Sequence, residues 1–189
     1  SLYDLRGSYH RLYRRSMLDD AGAPSLPLLD LYTKEKDTAL VPIIQPMIDY
    51  VCRGQSRLAD STFCRPEPQP FTVWADDLFM STPFLLMTAR LPGHPHAIDD
   101  AARQAVNFRN YLRDDSTGLY HHGWYSTTGR QAPICWGRAN GWIAWATAEL
   151  LDTLSPRHPL YSTIMAGFRQ HMDALARYQS PDGFWHQVL

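Results

Sequence analysis

Apolar residues recur at helical spacing in about seven segments of this chain, and no two segments alternate as paired strands do. The predicted helices cover residues 2–17, 26–34, 38–53, 76–91, 98–112, 141–154 and 160–179. Thr38 is the expected N-cap of the third helix, Gly54 its end, and Pro46 should kink or shorten it. The pattern predicts an all-α fold in one domain over residues 1–189, because no internal stretch resembles a linker.

Composition narrows the class of protein. Hydrophobic residues make up 44% of the chain and charged residues 20%, which is ordinary for a globular protein with a sizeable core. A net charge of -1 gives no basic surface, so we expect no nucleic-acid partner. No apolar run is long enough to cross a membrane, so no membrane partner is expected either. Cytoplasmic, periplasmic and secreted locations all stay open.

Metal and cofactor sites are not predicted. The three cysteines, Cys52, Cys64 and Cys135, lack the close spacing of a zinc site, although one disulfide among them stays open. His121 and His122 are adjacent, and adjacent side chains seldom point at one ion. We therefore expect one of the two histidines to line a pocket as a hydrogen-bond donor and the other to be structural.

Aromatic residues reach 12% of the chain, and five of the six tryptophans lie between positions 74 and 145. Aromatic faces suit both a protein core and stacking on sugar rings. The segment 114–137 is a predicted loop of unusual length, and such loops in compact domains are often functional. This region is where we expect a binding site.

Two clusters carry groups that can do chemistry. In Trp74-Ala75-Asp76-Asp77, Asp76 is either a helix cap or a carboxylate whose pKa is raised beside an aromatic wall. In Trp136-Gly137-Arg138, the guanidinium is either a fork for a carboxylate or a structural partner of the indole.

Two further clusters are weaker. Asp19 and Asp20 stand at the end of the first predicted helix, where the helix dipole disfavours acids, so they are candidates for a role beyond stability. The segment Ser180-Pro181-Asp182-Gly183 predicts a tight turn after the last helix.

In order along the chain, these motifs resemble the unsaturated rhamnogalacturonyl hydrolases, which are glycoside hydrolases of family 105 related to the unsaturated glucuronyl hydrolases of family 88. The motifs are Asp-Asp-x-Gly at 19–22, Trp-x-Asp-x-Leu-Phe-Met at 74–80, Gly-Leu-Tyr-x-His-Gly at 118–123, Trp-Gly-Arg-x-Asn-Gly-Trp at 136–142 and Gln-x-x-Asp-Gly-x-Trp at 179–185. The resemblance runs from about residue 8 to the end. Ala139 stands where the family often has glycine.

The resemblance implies an (α/α)6 toroid, or barrel, of which this chain would be the central portion. Missing segments or self-association would then complete the ring, since a half toroid exposes core surface. It implies hydrolysis of unsaturated uronyl (Δ4,5-galacturonyl) residues from the non-reducing end of lyase-generated pectin or rhamnogalacturonan oligosaccharides. The C4=C5 double bond is hydrated, and no cofactor takes part.

The resemblance also assigns roles by position. Asp76 would be the general acid/base and Asp20, or else Asp19, the supporting acid. The residues implied to bind substrate are Trp74, Met80, His122, Trp136, Arg138 and Trp142.

Protonating an enol-ether carbon needs a neutral acid, so we expect the pKa of Asp76 to be raised. We therefore expect Arg138 to point at substrate rather than at Asp76.

Two other functions fit the same residues. One is an inverting glycosidase in which Asp76 and Asp20 act as acid and base about 6.5–9.5 Å apart. The other is a non-catalytic fragment that binds acidic sugars or a protein through the aromatic loop 114–137.

Overall fold

The computed structural model describes residues 17–189, so the predicted helix over residues 2–17 lies, apart from Met17, outside the described residues. The α-helices are Leu18–Ala21 (α1), Leu26–Glu35 (α2), Val41–Asp49 (α3), Ala75–Thr88 (α4), Ala97–Leu112 (α5), Gly137–Thr153 (α6) and Tyr161–Arg177 (α7). The helical segments predicted from residue 26 onward are confirmed, with shifts at their ends. Asp19 and Asp20 lie inside the short helix α1 rather than at the end of a longer one.

The third predicted helix is divided into three parts. Thr38 is not its cap: the Asp37 carboxylate accepts the Ala39 N–H at 2.9 Å, and a 3₁₀ turn over Thr38–Leu40 leads into α3. Pro46 lies inside α3, whose α-helical geometry gives way to a π-helical turn over Tyr50–Gly54. The predicted shortening is therefore observed, and Gly54 does end the segment.

The expectation that strands would not pair is wrong. Thr72–Trp74 (β1), Gly123–Tyr125 (β2) and Arg130–Gln131 (β3) form an antiparallel sheet in the order β1-β2-β3. The register pairs Trp74 with Gly123 and Trp124 with Gln131. Strands of two or three residues are too short to produce a recognisable alternation in sequence. The sheet matters because it places the residues before α4 beside those after His121.

Helix α4 lies at the centre of the described fold, between α5 and α6. Its residues Leu78, Phe84 and Leu85 are almost completely buried, and the core continues with Phe108 of α5 and Ile143 of α6. A helix buried on several faces explains why α4 has apolar residues on all sides. Cys52, Cys64 and Cys135 are free thiols, so the disulfide that the sequence left open is absent. No helix within residues 17–189 is long and apolar enough to cross a membrane.

Acid is expected to weaken the fold through His171 of α7, which is only 2% exposed. Burial, assisted by Arg113, lowers the pKa of His171 from 6.5 to about 4. Below pH 6.5 the His171 imidazole takes up a proton in the unfolded chain but stays neutral in the folded protein. The stability that comes from the neutral imidazole is therefore complete above pH 6.5 and is lost as the pH falls towards 4. When the pH is lowered from about 7 to 4.5, the free energy of unfolding should decrease in both proteins. The decrease should be roughly 2 to 3 kcal/mol smaller in His171→Gln than in the unmodified protein, as measured by urea denaturation. An identical pH dependence in the two proteins would refute this.

Candidate active site

The first turn of α4 presents Asp76 at the end of strand β1. Trp74 precedes the helix with extended backbone, so Asp76 is the second helical residue and not the cap. The Ala75 N–H donates to the carbonyl of His122 at 2.9 Å, which fixes the start of α4 against the segment that carries both histidines. The Asp76 side chain is 8% exposed.

Two basic side chains face the Asp76 carboxyl group. Arg138 Nη1 donates to Oδ1 at 2.6 Å, and His122 Nε2 lies 3.2 Å from Oδ2. The His122 contact has the distance of a hydrogen bond but not its alignment, so neither Oδ2 nor Nε2 has a regular partner within residues 17–189. His121 faces elsewhere, with Nε2 3.4 Å from Asp114 and Nδ1 3.8 Å from the Cys135 sulfur.

The contact between Arg138 and Asp76 contradicts the expectation that Arg138 would point away. Helix α6 begins at Gly137 rather than near Gly141, so Arg138 lies in its first turn, and α6 packs closely on α4. The Arg138 side chain is 53% exposed and reaches inward to a carboxylate that is nearly buried. A buried carboxylate without a partner is costly, so the guanidinium is held there by the charge that it neutralises.

The ionisation expected of Asp76 is also wrong for this structure. Burial by itself raises the pKa of Asp76, but the His122 ring and the Arg138 guanidinium outweigh burial and hold it below its ordinary value. The carboxylate is therefore ionised at neutral pH in the protein without substrate.

An aromatic wall surrounds the His122 ring. Trp136 stacks on it with ring centroids 4.2 Å apart and an interplanar angle of 24°, and Trp74 lies 5.0 Å away at 51°. The Arg138 guanidinium lies 5.3 Å from the centre of the Trp136 ring. The structure thus brings together Trp74, Asp76, His122, Trp136 and Arg138 from three separate parts of the chain.

Met80 and Trp142 are placed differently. Met80 follows Asp76 by one helical turn and so shares a face of α4 with it, but the half-buried residue packs against the core. The Trp142 ring stacks on Phe79 at 4.2 Å, with Trp145 beyond it at 6.2 Å. Their roles as sugar-binding residues stay predictions.

Sequence reasoning missed Arg65, which lies behind the site. Arg65 makes two hydrogen bonds to Asp77, at 2.8 and 3.1 Å, and two to Asp19 at the same distances. Its guanidinium also lies 4.1 Å from the centre of the Trp74 ring. Arg65 is the one cation in the proline-rich segment 65–70 that precedes β1. This isolated charge was the only sign in the sequence of a role for Arg65, and its partners Asp19 and Asp77 are distant from it along the chain.

Of the two acids proposed as a supporting group, Asp19 is thus tied to Arg65, while the Asp20 carbonyl accepts a hydrogen bond from the Ser25 hydroxyl at 3.2 Å. The preference for Asp20 as the supporting acid stays a prediction. Within residues 17–189, no group of three His, Cys, Asp or Glu side chains is arranged to hold a metal ion.

The sequence is similar to those of known hydrolases. The chain is 30% identical over 168 residues to the unsaturated rhamnogalacturonyl hydrolase YesR of Bacillus subtilis (strain 168), covering 86% of this chain and 49% of that protein. It is 25% identical over 119 residues to an unsaturated 3S-rhamnoglycuronyl hydrolase of Alteromonas sp. (strain LOR), covering 61% of this chain and 29% of that protein.

A solved family 105 glycoside hydrolase of C. acetobutylicum ATCC 824 superimposes with a TM-score of 0.82 at 21% identity, over 92% of this chain and 51% of that chain. This similarity confirms that the helices form part of an (α/α)6 toroid. The chain therefore spans about half the length of YesR and of this solved structure.

The five motifs predicted a family, and the toroid is the fold that this family requires. The profile of Glycosyl Hydrolase Family 88 matches residues 3–189, almost the whole sequence. The chain belongs to glycosyl hydrolase family 88.

Proposed function

We propose that this protein removes the unsaturated uronyl residue from the non-reducing end of lyase-generated pectin or rhamnogalacturonan oligosaccharides. The observation that carries the proposal is the convergence of a nearly buried Asp76 with His122 and Arg138 between two indole rings. To bind and protonate an unsaturated uronate, a site needs an acid, a guanidinium that can pair with the carboxylate, and aromatic faces that can stack on the sugar. YesR is an unsaturated rhamnogalacturonyl hydrolase and the Alteromonas relative an unsaturated 3S-rhamnoglycuronyl hydrolase, which supports an unsaturated uronyl substrate.

The chemistry assigned to Asp76 is hydration of the C4=C5 double bond. Asp76 gives its proton to C4, and a water then adds at C5 while Asp76 takes a proton from that water. The product is a hemiketal at C5. Its ring opens to a ketone at C5 and leaves a hemiacetal at C1, which collapses to an aldehyde and releases the next sugar as an alcohol. The proton lost in the first step is regained in the second, so the acid is regenerated.

Buried polar atoms with incomplete hydrogen bonding mark where substrate and water can bind. Within residues 17–189, Asp76 Oδ2, His122 Nε2 and Trp74 Nε1 are buried and lack a regular hydrogen bond. Trp74 Nε1 has no partner among these residues, and Oδ2 and Nε2 contact each other at 3.2 Å without the alignment of a hydrogen bond, so the site has polar capacity left for a ligand or ordered water.

The ionised Asp76 of the free protein must become an acid once substrate is bound. The half-exposed Arg138 donates a single hydrogen bond to Asp76 and is free to turn to the uronate carboxylate, which it can bind through two. Loss of that cation removes one of the groups that lower the pKa of Asp76, while burial, which raises it, remains. His122 still faces Asp76 from the histidine segment and Asp77 lies beside it on α4, and neither needs to move.

This exchange predicts a difference between two pH profiles. Since neutral Asp76 is the active form, activity falls as pH rises through its pKa. The fall in kcat should therefore occur at a higher pH than the fall in kcat/KM, because kcat reports the complex and kcat/KM the free protein. In Arg138→Gln the two falls should converge, and KM should rise about 10- to 100-fold with loss of a charged hydrogen bond.

Arg157→Gln, on an exposed residue of the connection between α6 and α7, is the matched control and should keep both profiles and KM. Coincident falls of kcat and kcat/KM in the unmodified protein would exclude the exchange of partners.

The function itself is tested by ultraviolet absorbance of the double bond. The full chain is incubated with unsaturated disaccharides from rhamnogalacturonan, polygalacturonate and glucuronan lyases, and with their saturated counterparts. Loss of absorbance with release of the second sugar supports the proposal. Release from saturated substrates would favour the inverting glycosidase, and binding without turnover would favour a non-catalytic fragment.

A further inference from the structure

The side chain of Asn140, in the first turn of α6, is completely buried and fully hydrogen-bonded. Its Nδ2 donates to the carbonyls of Tyr120 and Trp136, each at 2.9 Å. Its Oδ1 accepts the Tyr120 N–H at 2.8 Å and lies 3.0 Å from His171 Nε2. An amide side chain has two donors and two acceptor lone pairs, so none of its capacity is left unused.

The segments that Asn140 joins are those that carry the basic and aromatic parts of the site. Tyr120 is two residues before His122, and Trp136 supplies the indole that stacks on the His122 ring at 4.2 Å. Asn140 binds both the N–H and the C=O of Tyr120, so it fixes the orientation of that backbone as well as its position. On the far side, His171 of α7 holds Asn140 itself in place.

We infer that Asn140 is a positioning residue, which sets the stack of His122 on Trp136 and with it the approach of His122 to Asp76. This inference rests on the proposed function, in which that approach matters for proton transfer. Asn140 touches none of the reacting groups. Displacement of a catalytic group by about 1 Å can cost about 100-fold in rate, so a clamp two residues from His122 has a measurable effect.

Asn140→Asp tests the clamp with almost no change in shape. The carboxylate keeps an acceptor for the Tyr120 N–H but places an oxygen against the Tyr120 and Trp136 carbonyls, which lose the donor that Nδ2 gave them. Asn140→Ser removes the same hydrogen bonds without adding charge. Asn110→Asp, on an exposed residue of α5, makes the same chemical change away from the site and is the matched control.

The first measurement is the proton NMR signal of the His122 ring, assigned by its disappearance in His122→Gln. Stacking on Trp136 displaces this signal through the indole ring current. In both Asn140 variants it should move towards the position of an exposed histidine, and in Asn110→Asp it should stay. An unmoved His122 signal in a folded Asn140 variant would overturn the inference.

The second measurement is kcat on the unsaturated disaccharide, which should fall about 100-fold in the Asn140 variants and stay within about twofold in Asn110→Asp. A displaced His122 signal with unchanged kcat would overturn the catalytic part of the inference. Unfolding of both variants by circular dichroism would make Asn140 a residue of the general fold and would overturn it too. If the unmodified protein turns over no unsaturated substrate, the proposed function fails, while the NMR result still decides whether Asn140 positions His122.

Discussion

Replacing Asp76 by Asn is expected to abolish turnover of unsaturated substrate, lowering kcat by roughly 10²–10⁴-fold. Asparagine has nearly the same shape but can neither give a proton to C4 nor take one from water. The fold should survive, because the partner that loses its ion pair, Arg138, is half exposed and can be solvated. The measurement is the rate at which the absorbance of the double bond disappears.

The control for this variant is Asp30→Asn, which removes the charge of an exposed helical aspartate paired with Lys34 at 2.7 Å. It should leave kcat unchanged. If Asp76→Asn keeps more than about a tenth of the activity, a residue other than Asp76 supplies the proton, because one acid/base group contributes at least about 100-fold.

The second large effect is on stability and concerns Asp77. Its side chain is 1% exposed and bonded twice to Arg65, whose own side chain is 9% exposed. Complete burial raises the pKa of Asp77, and Arg65 opposes that shift. Asp77→Leu leaves the buried Arg65 side chain with Asp19 as its remaining described ion-pair partner. We expect this change to lower the free energy of unfolding by about 3 kcal/mol, measured by denaturation in urea.

Two comparisons separate loss of this ion pair from loss of packing. The double variant Asp77→Leu with Arg65→Met should regain much of the stability, because an apolar pair of similar volume can replace a buried ion pair. Asp30→Leu breaks an exposed pair and should cost less than about 1 kcal/mol. A cost for Asp77→Leu as small as that of Asp30→Leu would contradict the role given to the Arg65 network.

The Arg65 network also bears on the active site. Arg65 joins α1, β1 and α4 through Asp19, Trp74 and Asp77, and Trp74 in turn contacts the His122 ring. One guanidinium therefore supports both the start of α4 and one of the two indoles beside Asp76. Sequence reasoning treated Asp77 as part of a helix start and gave Arg65 no role.

What the sequence determined by itself was local in character. Helical periodicity placed α2 and α4 to α7, because burial of one helix face imposes a spacing that is visible within a dozen residues. The order of five motifs identified the family and singled out Asp76 and His122, since residue types at fixed spacing survive where overall identity is low. The three short strands were not predicted, because two or three residues are too few to show the alternation of a strand.

The tertiary structure decided how the site is charged. Asp76 and Arg138 are 62 residues apart, and they meet because α6 begins at Gly137 and packs its first turn against that of α4. Other tertiary contacts join Asn140 to Tyr120 and Arg65 to Asp19, which are also distant along the chain. An ionisation state depends on burial and on charges within a few ångströms, and neither can be read from neighbours along the chain. The sequence could therefore single out Asp76 as a candidate acid, but only the fold showed that Arg138 pairs with it and helps to hold it ionised.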